Sequence, residues 1–412
     1  MNAKISRNNR ECIQMFGDSR YTLATILKTL RIVKRSITSF PPPKNRLHWL
    51  HGSYRLITLK EFSNTFFGYY DKSPLCPNNS NYIIYHANNA PASRNPNPCI
   101  PTRIILHDIS KDSYSVIGET YSWNWQQGSR LHWLNGSRIV YNIYEMESDT
   151  YRARITDVHN GEVIVKQFPV QDSYQDRYYL SLSYCRLNKF CSDYGYRNKR
   201  GDCEETDTAI FYCDYETDKY EKIVDIESAI QMINADNCAS ISNAYFNHLL
   251  ISPSGDKFIF LLRHGDGKSK KHYLFMYGIK DRLMNLLISN QIISHYTWMN
   301  NNEVLFWGIV NGVGGYFIVD TNFAKISTTL IHLPDGHPSI KSDSLIYTDT
   351  YPDKKCIRRF YVADISTGIT KLLAEVYEPP IYQKETRCDL HPTTASIDIN
   401  ISGSRTLCLH HE

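Results

Sequence analysis

Short apolar runs alternate with clusters of Asn, Asp, Gly and Ser along most of the chain. The runs are rich in aromatic and β-branched residues, which favours strands over helices. The turn clusters lie at seven places: Pro77–Ser80, Asn135-Gly136, Asn188, Ser254-Gly255, Asn300–Asn302, Ser342-Asp343 and Ser402-Gly403. Their spacing of roughly 40–65 residues is near that of β-propeller blades. The pattern therefore predicts an all-β fold, a seven-bladed β-propeller.

The apolar runs fit this interpretation within single repeats. Most turns precede an apolar strand, such as Lys257–Phe260, and a third strand often ends at an Asp, as in Ile104–Asp108. The polar segment Cys191–Asp207 interrupts the third repeat and is predicted to form a loop on one face. Little sequence follows the seventh turn, so we expect Tyr54–Leu59 to complete the last blade.

Residues 1–50 differ from the repeats and are predicted to form a basic, helical N-terminal extension before a propeller over residues 51–412. Apolar residues recur there at helical spacing, and basic residues occupy much of the remaining surface. The apolar positions are Leu23, Ile26, Leu27, Leu30, Val33 and Ile37, and the basic ones are Lys28, Arg31, Lys34 and Arg35. Such a helix over residues 20–40 either contacts an anionic membrane surface or packs on the propeller or a partner.

Composition narrows the class of protein. The net charge is +4 over 412 residues, and the repeats contain no basic stripe interleaved with aromatics, so no nucleic-acid partner is expected. The eleven cysteines include no Cys-x-x-Cys pair, which argues against a zinc ribbon and favours a reducing compartment. The polar start lacks a secretory signal, and no run is long enough to cross a membrane. These features predict a cytoplasmic protein, with contact to the inner membrane through residues 20–40 as an option.

Four histidines occupy similar positions in four successive repeats. His248, His295, His337 and His391 each stand at the start of a predicted strand, ahead of the turn of their repeat. In a propeller this position sends one imidazole from each blade toward the common axis. Such convergence would build a metal or proton-transfer site. The alternative is that each histidine only hydrogen-bonds to the neighbouring blade.

The segments that hold these histidines resemble oligogalacturonate lyases, a family of seven-bladed propellers. The resemblance runs from about Asn247 to the C-terminus and is carried by His248–Gly255, Ser294–Trp298, Asp335–Ser339 and Asp389–Pro392. The earlier segment Phe66–Pro74 resembles part of related propeller proteins encoded with bacterial surface-polysaccharide enzymes. The motifs are more specific for the superfamily than for the substrate.

The resemblance implies a manganese site. The ligands of the family fall on His295, Asp389 and His391, and His337 is the natural fourth candidate. The chain departs from the family at two positions, because the lyases have a histidine where Asp389 stands and a glutamine where Thr386 stands. A carboxylate is an acceptable manganese ligand in place of an imidazole.

The resemblance also implies cleavage of an acidic, uronate-containing saccharide by β-elimination. The family's proton-abstracting histidine maps near His248, and Arg263 and Arg387 are the arginines that would stabilise the developing enediolate. A neutral imidazole accepts a proton near working pH, and preorganised positive charge stabilises the anion. The leading hypothesis is a lyase-like propeller in bacterial surface-polysaccharide metabolism. The alternatives are a non-catalytic saccharide-binding or scaffolding propeller of the same pathway and a protein-interaction propeller unrelated to sugars.

Overall fold

The computed structural model describes residues 29–34, 36–37, 46–203, 205–233, 243–265, 270–401 and 403–411. Residues 29–34 and 36–37 are helical, whereas the rest of the predicted segment 20–40, including Lys28 and Arg35, lies outside the described residues. Within the described part of the chain, no helix is both long and apolar enough to cross a bilayer.

The repeats form seven antiparallel sheets, which confirms the predicted seven-bladed β-propeller. Blade 1 comprises Asn64–Phe66, Leu75–Cys76, Asn79–Asn88, Thr102–Asp108 and Ser113–Thr120. Blade 2 comprises His132–Trp133, Arg138–Glu145, Thr150–Asp157 and Val163–Val165. Blade 3 comprises Asp172–Tyr174, Tyr178–Ser181, Ala209–Asp214 and Tyr220–Asp225. Blade 4 comprises Tyr245–Ile251, Lys257–His264, Lys271–Gly278 and Met284–Ile288.

The last three blades follow the same order from the axis outward. Blade 5 comprises Ile292–Trp298, Glu303–Val310, Val313–Asp320 and Lys325–Thr328. Blade 6 comprises Ser339–Ile340, Leu345–Asp349, Ile357–Asp364 and Thr370–Tyr377, and blade 7 begins with Ser396–Ile401 and Ser404–His411. Short helices at Tyr184–Phe190 and Ile226–Ile233, and 3-10 turns at Glu205–Thr208 and Lys384–Thr386, connect these strands.

Two N-terminal strands complete blades 6 and 7. Ser53–Ile57 pairs antiparallel with Ser404–His411 and places Leu56 opposite Cys408, which confirms the predicted closure by the segment that begins at Tyr54. Leu47–Trp49 adds a fifth strand to blade 6. Ser53–Ile57 and Ser404–His411 therefore share the sheet of blade 7, which closes the ring of blades.

Blade 3 differs from its predicted form. The prediction of a turn at Asn188 is wrong, because Asn188 lies within the helix Tyr184–Phe190. Ser183 caps that helix by accepting a hydrogen bond from the Arg186 N–H, and Tyr184 and Leu187 bury its inner face. The helix and the polar segment that follows it are inserted between the second and third strands of the blade.

The second strand of each blade is apolar because both faces of each sheet pack against neighbouring blades. In blade 4, all five residues from Phe258 to Leu262 are fully buried. A strand buried on both sides reads as a continuous apolar run without alternation. This packing positions the inner strands rigidly around the axis.

Candidate functional site

Polar side chains gather around the adjacent rings of Tyr69 and Tyr70, which follow the inner strand of blade 1. These side chains come from every blade: Asp71, Arg130, Asp172, His248, His295, His337, Asp389 and His391. Each lies on, or just before or after, the inner strand of its blade. Because these residues occupy similar positions in their repeats, the propeller brings them together in one cluster at its axis.

The structure brings all four predicted histidines together. Their ring centroids lie 5.4–6.3 Å from that of Tyr70, and those of His295 and His337 are 4.0 Å apart. The rings of His337 and His391 are 4.5 Å apart. None of the four is more than 3% exposed, so all four imidazoles are buried.

His337 is the most firmly oriented of the four. Its Nδ1 lies 2.8 and 3.0 Å from the two oxygens of Asp349, and its backbone N–H donates to the same carboxylate at 2.8 Å. Asp349 also accepts a hydrogen bond from the backbone N–H of Leu390. This bond links blade 6 to the segment that carries Asp389 and His391. Because the carboxylate requires a proton on Nδ1, the neutral ring presents the lone pair of Nε2 to the site.

Gly336 makes this arrangement possible. A Cβ at this position would overlap the backbone carbonyl oxygen of Asp349 and crowd the Thr348 hydroxyl. The Gly336-His337-Pro338 tripeptide therefore lets the backbone approach the Asp349 strand closely enough for His337 to be held twice by one carboxylate.

Gly336→Ala is expected to destabilise the fold by about 3 kcal/mol, because backbone atoms must move to admit the methyl group. The matched control is Gly314→Ala in blade 5, where the nearest atom would lie 3.7 Å from the new Cβ. Urea denaturation of the two variants measures both effects. Equal stabilities for the two variants would contradict the close approach at Gly336.

Two of the histidines have unusual backbone conformations. His248 and His391 have φ angles of 54° and 44°, in the left-handed region that residues other than glycine rarely adopt. His391 was predicted to stand at the start of a strand, but both it and Asp389 lie before the strand that begins at Ser396. The left-handed turn at His391 brings its Nε2 to 3.9 Å from Asp389 instead.

Three of the four predicted metal ligands form a compact donor set. One ligand atom each from His337, Asp389 and His391 lies within 4.8 Å of the others. The Nε2 of His337 and both ring nitrogens of His391 are buried and have no hydrogen-bond partner among the described residues. His295 is not part of this group of mutually close donor atoms. Its Nδ1 shares a hydrogen bond with the Ser294 hydroxyl, near Asp335.

Asp389 is held as an anion by two arginines. Burial alone would raise the pKa of this carboxyl, but Arg387 and Arg358 outweigh burial and keep the pKa well below its usual range. The Arg387 Nε lies 2.6 Å and the Arg358 Nη1 lies 2.8 Å from the carboxylate oxygens. Arg358 in turn pairs with Glu378 at 2.9 Å. Asp389 is therefore an oriented, ionised ligand candidate rather than a titrating acid.

The three residues predicted for catalysis have different contacts in the axial cluster. His248 stacks on Tyr296 with ring centroids 4.2 Å apart, and burial lowers its pKa well below the usual value, so it remains a neutral base. Arg263 donates to the backbone carbonyl oxygen of Ile293 at 3.2 Å. Arg387 bridges Asp389 and Asp193, so of the two arginines predicted for catalysis it is the one that contacts the donor set.

Sequence reasoning missed the ion pairs of blades 1 to 3. Arg130 donates to both oxygens of Asp71 at 2.8 and 3.1 Å, with both side chains buried, and Lys72 pairs with Asp172. Burial raises the pKa of Asp71, but Arg130 outweighs it and lowers the pKa to about 2. The only available signal was the segment Phe66–Pro74, which contains Tyr69 and Tyr70 and carried a resemblance but no assigned role.

The insertion after the helix Tyr184–Phe190 reaches blades 1 and 7 at the axial site, in keeping with the predicted loop on one face. The Tyr194 ring lies 5.9 Å from that of Tyr69, and Arg197 donates to both oxygens of Glu385 at 2.6 and 2.7 Å. Asn198 donates to the Pro98 carbonyl oxygen of blade 1. The insertion thus spans three blades and contributes to the burial of the histidines.

Fold and site together define a seven-bladed β-propeller with a buried cluster of histidines and carboxylates at its axis. This is the fold of oligogalacturonate lyases. One such lyase, solved in complex with manganese, superimposes with a TM-score of 0.59 at 12% identity, over 88% of this chain and 97% of its own. A second, from Vibrio parahaemolyticus, gives a TM-score of 0.54 at 8% identity, over 89% and 98%. No family model matches the chain, and no curated protein matches its sequence.

Proposed function

We propose that the protein is a metal-dependent, polysaccharide lyase-like enzyme of bacterial surface-polysaccharide metabolism, which cleaves an acidic, uronate-containing saccharide by β-elimination. The observation that carries this proposal is the set of unpartnered imidazole nitrogens of His337 and His391 beside the ionised Asp389. Burying three such nitrogens without partners is costly unless they bind something. The likeness in fold to a manganese-containing lyase supports the choice of activity.

The residues present fit a manganese ion. His337, Asp389 and His391 would hold it. Asp349 would orient His337 through the hydrogen bond at Nδ1. The carboxylates around the site, Asp193, Asp335, Asp349, Glu378 and Asp389, outnumber the arginines Arg263, Arg358 and Arg387. When all five carboxyls are ionised, negative charge is in excess, which favours a bound cation. Manganese would supply Lewis-acid neutralisation of the substrate carboxylate.

The chain's own residues would perform the proton transfer. Neutral His248 would take the proton from the carbon next to the uronate carboxylate, and the electron pair would then form the ring double bond as the glycosidic oxygen leaves with a proton from solvent. Arg263 and Arg387 would stabilise the negative charge on the intermediate. Because the insertion contacts blades 1 and 7 over the axis, it would have to move to admit a saccharide.

Incubation of the manganese-loaded protein with uronate-containing oligosaccharides is expected to produce unsaturated uronates, which absorb in the ultraviolet. His248→Gln should lose product formation and keep the metal, because His248 is not in the donor set. The matched control, His107→Gln in blade 1, should retain both, since His107 contacts Tyr85 rather than the axis. Metal binding without any product from a panel of acidic saccharides would contradict the lyase activity.

A second function, a non-catalytic saccharide-binding or scaffolding propeller of the same pathway, is favoured by one observation. The rings of Tyr69 and Tyr70 lie among the four buried histidines, and the insertion contacts Tyr69. Saccharide binding that is unaffected by His248→Gln, without turnover, would support this function.

We also propose that residues 20–40 bring a cytoplasmic propeller to an anionic inner leaflet. In the described part of this segment, Leu30, Val33 and Ile37 are exposed. Replacing the basic residues with Gln is expected to release the protein from anionic vesicles, because each contributes about 1 kcal/mol near the surface. The substituted positions are Lys28, Arg31, Lys34 and Arg35. Equal vesicle binding by wild type and variant, or binding by neither, would favour a helix that packs on protein.

A further inference from the structure

A second group of potential metal ligands lies at the base of the insertion, apart from the axial histidines. The thiols of Cys185 and Cys203 and the carboxylate of Asp207 each place one ligand atom within 4.8 Å of the others. Cys185 lies in the first turn of the helix Tyr184–Phe190, whereas Asp207 lies in the 3-10 turn Glu205–Thr208. The start of the helix and the end of the insertion therefore converge on this cluster.

The electrostatics of the cluster favour a bound cation. Burial raises the pKa of the Cys185 thiol, and the neighbouring Cys203 and Asp207 raise it further. Three groups that become negative on ionisation are thus held close together in a half-buried place. Lys199 and Arg186 interact with the same groups, so two positive charges stand against three negative ones when both thiols are ionised. A divalent cation would overcome the remaining repulsion and displace the thiol protons.

The cluster also borders an open cleft between blades 2 and 3. The cleft has a volume of about 400 Å³, and Cys185 and Asp207 form part of its lining. Its wall includes the stacked rings of Phe168 and Phe211, with centroids 4.5 Å apart. An ion at the cluster would therefore have three protein ligands and one side open to solvent. This is the pattern of a zinc site with an exchangeable fourth ligand.

We propose that Cys185, Cys203 and Asp207 bind a thiophilic divalent cation of the zinc class, as a second metal site distinct from the axial donor set. The two thiolates match the preference of zinc for sulfur, and the carboxylate completes a three-ligand site. A bound ion would draw the donors to the separation of about 3–4 Å that zinc bond lengths require. It would also tie Cys203, at the end of the insertion, to the helix at its start.

The position of Asp207 favours a metal site over a disulfide between the two cysteines. A disulfide between Cys185 and Cys203 would need only the two sulfur atoms, whereas the structure adds Asp207 within the same distance. A metal clip at this place would restrain the segment that carries Tyr194 and Arg197 over the axial site.

Cobalt, added as a spectroscopic substitute for zinc to the reduced full-length protein, tests the proposal. We expect a thiolate-to-cobalt charge-transfer band that disappears in Cys203→Ser and weakens in Asp207→Asn. The band should persist in His391→Ala, because the axial donor set contains no sulfur. It should also persist in the control Cys213→Ser, which changes a buried cysteine in the third strand of blade 3.

Zinc should compete with cobalt for the site and raise the thermal midpoint of the wild type, but not that of Cys203→Ser. Absence of the charge-transfer band, or its persistence in Cys203→Ser, would overturn the proposal. Isolation of the pair as a disulfide that does not reduce under mild thiol treatment would overturn it as well. None of these results depends on lyase activity at the axis.

Discussion

His391→Ala and His337→Ala are each expected to abolish manganese binding at the axis, whereas His295→Ala should retain it. The structure assembles His337, Asp389 and His391 within 4.8 Å and leaves His295 with Ser294 and Asp335. Removing one of three donors leaves two, and two ligands rarely hold a labile ion. The expected loss is from stoichiometric to undetectable binding.

Electron paramagnetic resonance of free manganese, or calorimetry, measures this binding directly. Circular dichroism of each variant checks the fold, and His107→Gln serves as the control for loss of a buried histidine. The pattern also decides between two ligand sets, because the set implied by the family resemblance contains His295 in place of His337. Retained binding in His391→Ala, or loss confined to His295→Ala, would refute the donor set described above.

The fold was predictable because its signals are local. Turn residues and apolar runs define each hairpin, and the short last repeat indicated closure by Tyr54 and its neighbours. The local signals were misleading in blade 3, because a capped helix, not a turn, is present at Asn188. A polar residue in a short helix and one in a turn look alike in sequence, and only the burial of Tyr184 and Leu187 distinguishes them.

The site was predictable only as far as the repeat determines it. Equivalent positions brought four histidines to the axis, but the choice among them depends on contacts between blades. His337 acquires its role from Asp349, and His391 reaches Asp389 through a left-handed turn. Tyr69 and Tyr70 come from blade 1, far away in sequence, and no local pattern indicates that their rings stand among the histidines.

The protein is expected to lose stability steeply as the pH falls from about 6.5 to 4. Six buried histidines have pKa values well below the usual 6.5, mainly because burial disfavours the charged ring: His86, His132, His248, His272, His337 and His391. Above pH 6.5 these rings are neutral in both the folded and the unfolded chain. Below pH 6.5, these histidines bind protons in the unfolded chain but not in the folded protein, so the free energy of unfolding falls.

One histidine gives the scale of the effect. Burial lowers the pKa of His86 to about 4, a difference of about 2.5 pH units from the unfolded value. At 1.36 kcal/mol per unit this removes about 3 kcal/mol by pH 4, a substantial part of the stability of a typical domain. The loss from this ring is complete below its folded pKa.

Three buried carboxyls act in the opposite direction. Burial raises the pKa of Asp398 to about 7 and also raises the pKa values of Asp349 and Glu378. Because these carboxyls take up protons in the folded protein at a higher pH than in the unfolded chain, their protonation stabilises the fold as the pH falls. The six histidines outnumber the three carboxyls, so the unfolded chain binds more protons than the folded protein as the pH falls, and the free energy of unfolding decreases.

Urea denaturation at a series of pH values measures this slope, and two variants should change it in opposite directions. His86→Gln removes one proton taken up on unfolding and should reduce the slope near pH 5 by about 1 kcal/mol per pH unit. Asp398→Asn removes one proton held by the folded protein and should increase the slope by about the same amount, with the hydrogen bond from the Phe67 N–H to position 398 retained. A free energy of unfolding that stays constant from pH 7 to 5, or the same slope in both variants, would show that these buried groups do not govern the acid response.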